Sequence, residues 1–203
     1  MDRRNLLARL ADGAERDGWR SATLSLLTPY SDLLRYVGDE RSADWRFLLP
    51  ELPEGNLLCV GGALSSIPLS LARTCRSVTV ECSRMQARFL LARARQDGFF
   101  NVSVVPHVES GAKYDLVAVL RSPLRKGAWH RRKLSVWTEK TRPGGWFYLE
   151  VDKPALFAPP TLLRVALRRA GFSEQALYWP KPTFQHCEML IPLEDRDLQR
   201  YYL

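Results

Sequence analysis

Apolar residues recur along this chain with two spacings, and the switch between them marks out the elements. From Leu6 to Trp19 the spacing is helical, with Leu6, Leu7, Leu10 and Ala14 on one face and Gly18 weakening the far end. Ser21 to Val37 carries a second helical pattern, broken at Pro29, with Leu33, Leu34 and Val37 on its later face. Prolines and Gly55 in the stretch 44–55 read as a linker. After it the pattern changes. Short apolar runs, Asn56–Val60, Ser77–Glu81, Asn101–Val105 and Tyr114–Leu120, alternate with helical segments over Ile67–Thr74 and Arg84–Gln96. In the second of these helices Met85, Phe89 and Ala92 form the apolar face, Arg88 and Arg95 lie elsewhere, and Gly98 stops it. A helix over Lys133–Thr141, a turn at Arg142-Pro143-Gly144-Gly145 and a strand over Trp146–Val151 follow. Then come a proline-rich loop over 152–160, a helix over Thr161–Ala170, and strands over Gln175–Trp179 and Cys187–Ile191. Such alternation predicts an α/β fold on a mostly parallel sheet. It divides the chain into a helical extension or lid, residues 1–44, and a main domain, residues 45–203. Trp19, Tyr30 and Tyr36 are candidates for a pocket mouth, although plain packing of the extension is the simpler reading.

The densest local signal is Leu57-Leu58-Cys59-Val60-Gly61-Gly62, followed by Ser65-Ser66-Ile67-Pro68 and then by Val78-Thr79-Val80-Glu81. Paired glycines after a strand allow a sharp turn and a close ligand approach. Ser65 or Ser66 can cap the next helix, and Pro68 is tolerated in its first turn. Glu81 stands 20 positions after Gly61, the spacing at which a carboxylate meets ribose hydroxyls in βαβ nucleoside sites.

Charge adds a direction. Thirty Lys and Arg against 22 Asp and Glu leave a formal charge of +8, which favours an anionic partner. The stretch 121–133 concentrates it: Arg121, Arg125, Lys126, Arg131, Arg132 and Lys133, with Trp129 and His130. It follows a predicted central strand at the carboxyl end, where parallel sheets keep their sites. Arg121, Arg125, Lys126 and Trp129 are therefore candidate substrate contacts. His107 and His130 are the candidate general bases, because imidazole titrates near neutrality. Four cysteines form no C-x-x-C pair, which predicts free thiols, a reducing and cytoplasmic setting, and no metal site. No apolar run reaches the roughly 20 residues of a membrane span.

Taken in order, Leu58-Cys59-Val60-Gly61-Gly62, Val80-Glu81, Tyr114-Asp115-Leu116-Val117, Arg142-Pro143-Gly144-Gly145-Trp146-Phe147 and Ala170-Gly171-Phe172 resemble the motifs of class I S-adenosylmethionine-dependent methyltransferases. That resemblance covers residues 45–193. It implies a Rossmann-like seven-stranded sheet in the order 3-2-1-4-5-7-6, with an antiparallel seventh strand beside the fifth. It also implies S-adenosylmethionine as cofactor, contacted by Gly61, Gly62, Ala63, Glu81, Cys82, His107, Glu109 and Leu120. The glycine motif departs from the family's: Cys59 replaces an acidic residue, and Ala63 and Ser65 replace the later glycines. Three functions follow. One is methyl transfer to an anionic small-molecule, saccharide or secondary-metabolite acceptor. Another is a catalytically degenerate binding or scaffolding subunit, and the third is nucleic-acid binding. Membrane insertion is not expected, and oligomers are compatible with the sequence.

Overall fold

The central strand positions in this protein are set by runs of Val and Leu too apolar to face water on either side. In the computed structural model they stack into one sheet. The structure describes residues 3–38, 54–120, 136–137, 139–152, 186–194 and 198–199. Five parallel strands, β1 (Asn56–Val60), β2 (Ser77–Glu81), β3 (Val102–Val105), β4 (Tyr114–Val119) and β5 (Thr141–Asp152), lie in the order β3-β2-β1-β4-β5. β6 (His186–Glu194) pairs antiparallel with β5, at the place expected for the seventh strand, and the short β7 (Leu198–Gln199) pairs with β6. The strand expected over 175–179 and the helix over 161–170 lie outside the described residues.

Successive residues of a strand face opposite sides, and the two sides are built differently. Leu57 and Cys59, Val78 and Val80, Leu116 and Ala118 pack beneath α4 (Ile67–Ala72) and α5 (Arg84–Gln96), against Leu69, Leu71, Leu90 and Ala94. On the reverse side Leu58, Val60, Val117, Val119 and Phe147 are buried. Towards β2 and β3 that side turns polar: Thr79 is half-buried, Ser103 is exposed, and their hydroxyls lie 3.3 Å apart. The connection from β3 to β4, residues 106–113, contains no helix, so nothing in that crossover calls for an apolar surface there.

Three helices precede the sheet: α1 (Arg3–Asp17), α2 (Trp19–Leu27) and α3 (Ser31–Gly38). Gly18, with φ 91°, separates the first two. Their apolar face, Leu6, Leu10, Ala11, Ala14, Ala22, Leu27, Leu33 and Val37, forms a second core with Phe89 and Ala92 of α5 and with Leu64. The helices thus pack onto α5 rather than onto the sheet. A polar seam flanks this core. The Trp19 N–H donates to Gln96 Oε1 at 2.8 Å, and Gln96 Nε2 donates to the Ala14 carbonyl at 2.7 Å. Trp19 Nε1 donates to Asp97 Oδ1 at 3.1 Å. The Arg93 guanidinium lies 3.8 Å from the Trp19 ring centre, and its NH1 donates to the Val37 carbonyl at 3.0 Å. Arg88 reaches Asp12 and Glu15 from the outer rim.

Several expectations change. Trp19 is buried under two arginines, Arg20 and Arg93, in keeping with plain packing of the extension. Met85 is exposed, while Gln86 and Arg93 take buried places on α5. Ser66 stands at the N-cap of α4 without a side-chain cap bond; Ser65 instead donates its hydroxyl to the Gly62 carbonyl at 2.8 Å. Thr141 already belongs to β5, so the helix expected through that residue ends earlier. Residues 142–145 form a bulge within β5, four residues set against Asp115 alone. Asp115 holds this bulge: Oδ1 accepts from Arg142 NH1 at 2.8 Å and Oδ2 accepts from the Asn56 N–H at 2.7 Å.

Candidate functional site

Parallel register brings the expected site residues to one edge. Val60 pairs with Glu81 and with Val119, and Glu81 pairs with Val105. The residues that follow these strand ends, Gly61, Cys82, Pro106 and Leu120, must therefore emerge side by side. Three hydrogen bonds carry the pairing into the turns: Gly61 N–H to the Glu81 carbonyl at 3.0 Å, Cys82 N–H to the Val105 carbonyl at 3.1 Å, and Leu120 N–H to the Val60 carbonyl at 2.9 Å.

Gly61 and Gly62 both have positive φ, 83° and 69°, a conformation that a Cβ disfavours. At Gly62 space is short as well, because a Cβ would lie 2.5 Å from Leu120 Cδ1 and 2.8 Å from Leu120 Cβ. The turn from Gly61 to Ser66 is buried throughout. Its direction is set by Leu64, which leaves the sheet and inserts among the N-terminal helices. Nothing in the glycine pattern signals this role; an apolar residue in an otherwise small-residue turn is the only trace.

Glu81 carries the site's polar chemistry. Its side chain is 23% exposed. Oε2 accepts from the Val108 N–H at 3.2 Å, and Oε1 lies 3.9 Å from His107 Nδ1, an ion pair only when that imidazole is protonated. The loop after β3 is thus folded against the β2 carboxylate. Lys140 holds it from the other side, donating from Nζ to the carbonyls of Val108 at 3.2 Å and Glu109 at 3.1 Å. The Val108 contribution is a main-chain group and has no signature in residue type. His107 is 91% exposed, so no packing fixes its ring, and the Glu109 residue is exposed. Ala63 and Cys82 are buried, the first in the core below α4. His130, Arg121, Arg125, Lys126 and Trp129 lie outside the described residues.

The strand cysteine is chemically quiet. Burial pushes the Cys59 thiol well above its ordinary range, and neighbouring Cys75 pushes it the same way. Burial also raises Cys75, partly offset by a hydrogen bond with Thr74. Native protein treated with iodoacetamide at pH 8 is expected to leave Cys59 unmodified, with labelling only after denaturation. Peptide mass mapping checks this, and rapid native labelling would contradict the buried placement.

No family model matches the sequence, and no curated protein matches it. Solved structures do match. An S-adenosylmethionine-dependent methyltransferase from Aquifex aeolicus aligns with a TM-score of 0.57 at 13% identity, over 85% of this chain and 98% of that one. The S-adenosylmethionine-dependent methyltransferase SibL, in its apo form, aligns with a TM-score of 0.54 at 16% identity, over 88% of this chain and 57% of that one. The 16S rRNA N2 G1207 methyltransferase RsmC of T. thermophilus, in complex with AdoMet and guanosine, aligns with a TM-score of 0.53 at 18% identity, over 68% of this chain and 37% of that one. At these identities the likeness is one of fold: the Rossmann-like architecture of S-adenosylmethionine-dependent methyltransferases. Among the described residues no helix is long and apolar enough to cross a membrane.

Proposed function

We propose that the chain is an S-adenosylmethionine-dependent methyltransferase whose cofactor lies along the carboxyl edge of β1, β2 and β4. The observation that carries this reading is the Glu81 carboxylate, set by register beside the paired positive-φ glycines, with one oxygen committed to Val108 and the other facing, among the described residues, His107. That acceptor fits the O–H of a ribose hydroxyl. In this reading Glu81 holds the sugar, the turn at Gly61, Gly62 and Ala63 passes under the amino-acid end, and Cys82, His107, Glu109 and Leu120 border the base. The cofactor supplies an electrophilic methyl group on sulfonium. The protein then has to orient the acceptor in line with it, which a site without an elaborate catalytic constellation can do.

The acceptor is proposed to be anionic, a small molecule or a saccharide or secondary-metabolite precursor, held by Arg121, Arg125, Lys126 and Trp129, with His107 or His130 taking its proton. Support comes from continuity: the chain enters that basic segment directly from Leu120. The complete order 3-2-1-4-5-7-6, the division at residue 44 and a cytoplasmic location belong to the same reading.

A second reading, a binding subunit that no longer transfers methyl groups, is favoured by one observation. Leu120 presses on Gly62 and the turn through Ser66 is buried, so the glycine corner already packs against the protein's own side chains. Calorimetry with S-adenosylmethionine and S-adenosylhomocysteine separates the two. Saturable binding is expected, weakened about tenfold or more in Glu81→Ala, since a charge-assisted hydrogen bond contributes about 1.5–3 kcal/mol. Glu81→Gln, which still accepts from Val108, is expected to fall between. No heat at millimolar cofactor would leave only the binding-subunit reading. Unchanged affinity in Glu81→Ala would move the sugar elsewhere.

A further inference from the structure

A cavity of about 460 Å³ opens at the other end of the sheet, its amino edge. It exists because the bulge at 142–145 carries β5 away from the starts of β1 and β4. Strands of five residues at about 3.3 Å each put roughly 16 Å between this edge and the glycine turn. The cavity is therefore separate from the cofactor reading, and neither depends on the other.

Its floor is rigid. Gly55 leaves no room for a side chain, since a Cβ there would fall 1.9 Å from Asp115 Oδ2. Both Asp115 oxygens are engaged, one by the Asn56 N–H and one by Arg142. Asp115 is thus consumed in aiming the Arg142 guanidinium, which stays 46% exposed along the cavity. On the neighbouring wall the Arg76 backbone is fixed by N–H bonds to the carbonyls of Glu54 at 3.0 Å and Gly55 at 3.1 Å. Its guanidinium has no partner among the described residues. Trp146 closes part of the remaining side.

We propose that this cavity binds the oxyanion of a small ligand, a phosphate or a carboxylate, between the guanidinium groups of Arg76 and Arg142. A guanidinium presents several N–H donors in a planar fork that matches an oxyanion, and the one on Arg142 is already oriented by its carboxylate. Glu54 is the one carboxylate on the wall without a partner among the described residues. It offers an acceptor to any N–H or O–H donor that the ligand carries beside its oxyanion.

The test titrates the full ¹⁵N-labelled chain, free of cofactor, with inorganic phosphate and separately with acetate. The amides of Asn56, Arg76, Gly144 and Gly145 are followed. Saturable shifts confined to this group are expected, and Arg76→Ala should weaken them roughly tenfold. Alanine keeps the backbone bonds of position 76, and the Arg76 side chain has no partner among the described residues, so this variant reports binding rather than unfolding. Arg142→Lys, which can still pair with Asp115 but loses the fork, should weaken binding too. Saturation by phosphate alone assigns a phosphorylated ligand, and saturation by acetate as well assigns a carboxylate-tolerant site. Linear, non-saturating shifts at tens of millimolar anion overturn the proposal, as do shifts that Arg76→Ala leaves unchanged. S-adenosylmethionine affinity should stay the same in Arg76→Ala, which keeps this outcome distinct from that of the cofactor experiment.

Discussion

Arg93→Ala is expected to destabilise the protein by about 3–5 kcal/mol, the cost of removing one partner from a buried charged arrangement. For a chain of this length each kcal/mol corresponds to roughly 2–4 °C in Tm, so melting should fall by about 10 °C. Arg93 is 1% exposed, and its loss acts in three places at once. The Trp19 ring loses the guanidinium stacked upon it, the Val37 carbonyl at the end of α3 loses its donor, and Asp97 Oδ2 loses the cation 3.9 Å away. Arg93→Lys keeps the charge but not the flat, multiply donating group, and should recover only part of the loss. Arg88→Ala is the control. Its side chain meets Asp12 and Glu15 at the exposed rim, and a solvent-screened pair of that kind contributes little. Urea denaturation at constant m-value measures all three. A cost below about 1 kcal/mol for Arg93→Ala would mean that the N-terminal helices are held by their apolar face and the remaining hydrogen bonds, not by this guanidinium.

Gly62→Ala is the second large effect, and here loss of function should outrun loss of stability. A left-handed φ costs a non-glycine residue about 1–2 kcal/mol. Overpacking against Leu120 adds about 1–3 kcal/mol. Relief of the contact requires Leu120 to move, and with it the point where the chain leaves β4 for the basic segment. Cofactor binding should therefore fall below detection while the protein still folds. Adding Leu120→Ala should restore part of the stability, though not all, because the Cβ of residue 120 stays 2.8 Å from the new methyl group. A double-mutant cycle reads this as a coupling energy. Strict additivity would show that the two residues do not meet.

The sheet was legible because strands buried on both sides must be written in Val, Leu and Ala, as Leu116 to Val119 are. Glu81 was legible too, since its distance from Gly61 reflects the length of one βαβ unit. What was hidden is polar. An amphipathic count treats Arg93, Gln96 and Asp97 as solvent-facing, yet these residues and Trp19 stitch the helical layers together. The one available clue was position: Arg93 follows Phe89 by four residues and shares its face. At Arg142-Pro143-Gly144-Gly145 the residue types read correctly as a change of direction. Their placement inside a strand depended on Asp115, remote in sequence and paired only in the folded chain. The Val108 amide that meets Glu81 could not be read at all, because every residue other than proline carries that group.

Leu64 also constrains how the chain can be divided. A fragment starting at the first strand would keep Leu64, Phe89 and Ala92 but strip off what covers them, presenting an oily scar beside the glycine turn. The opening helices therefore share one core with α5 and the glycine turn. Trimming them would disturb the bend at Gly61 and Gly62 through Leu64, with every residue of that bend still in place.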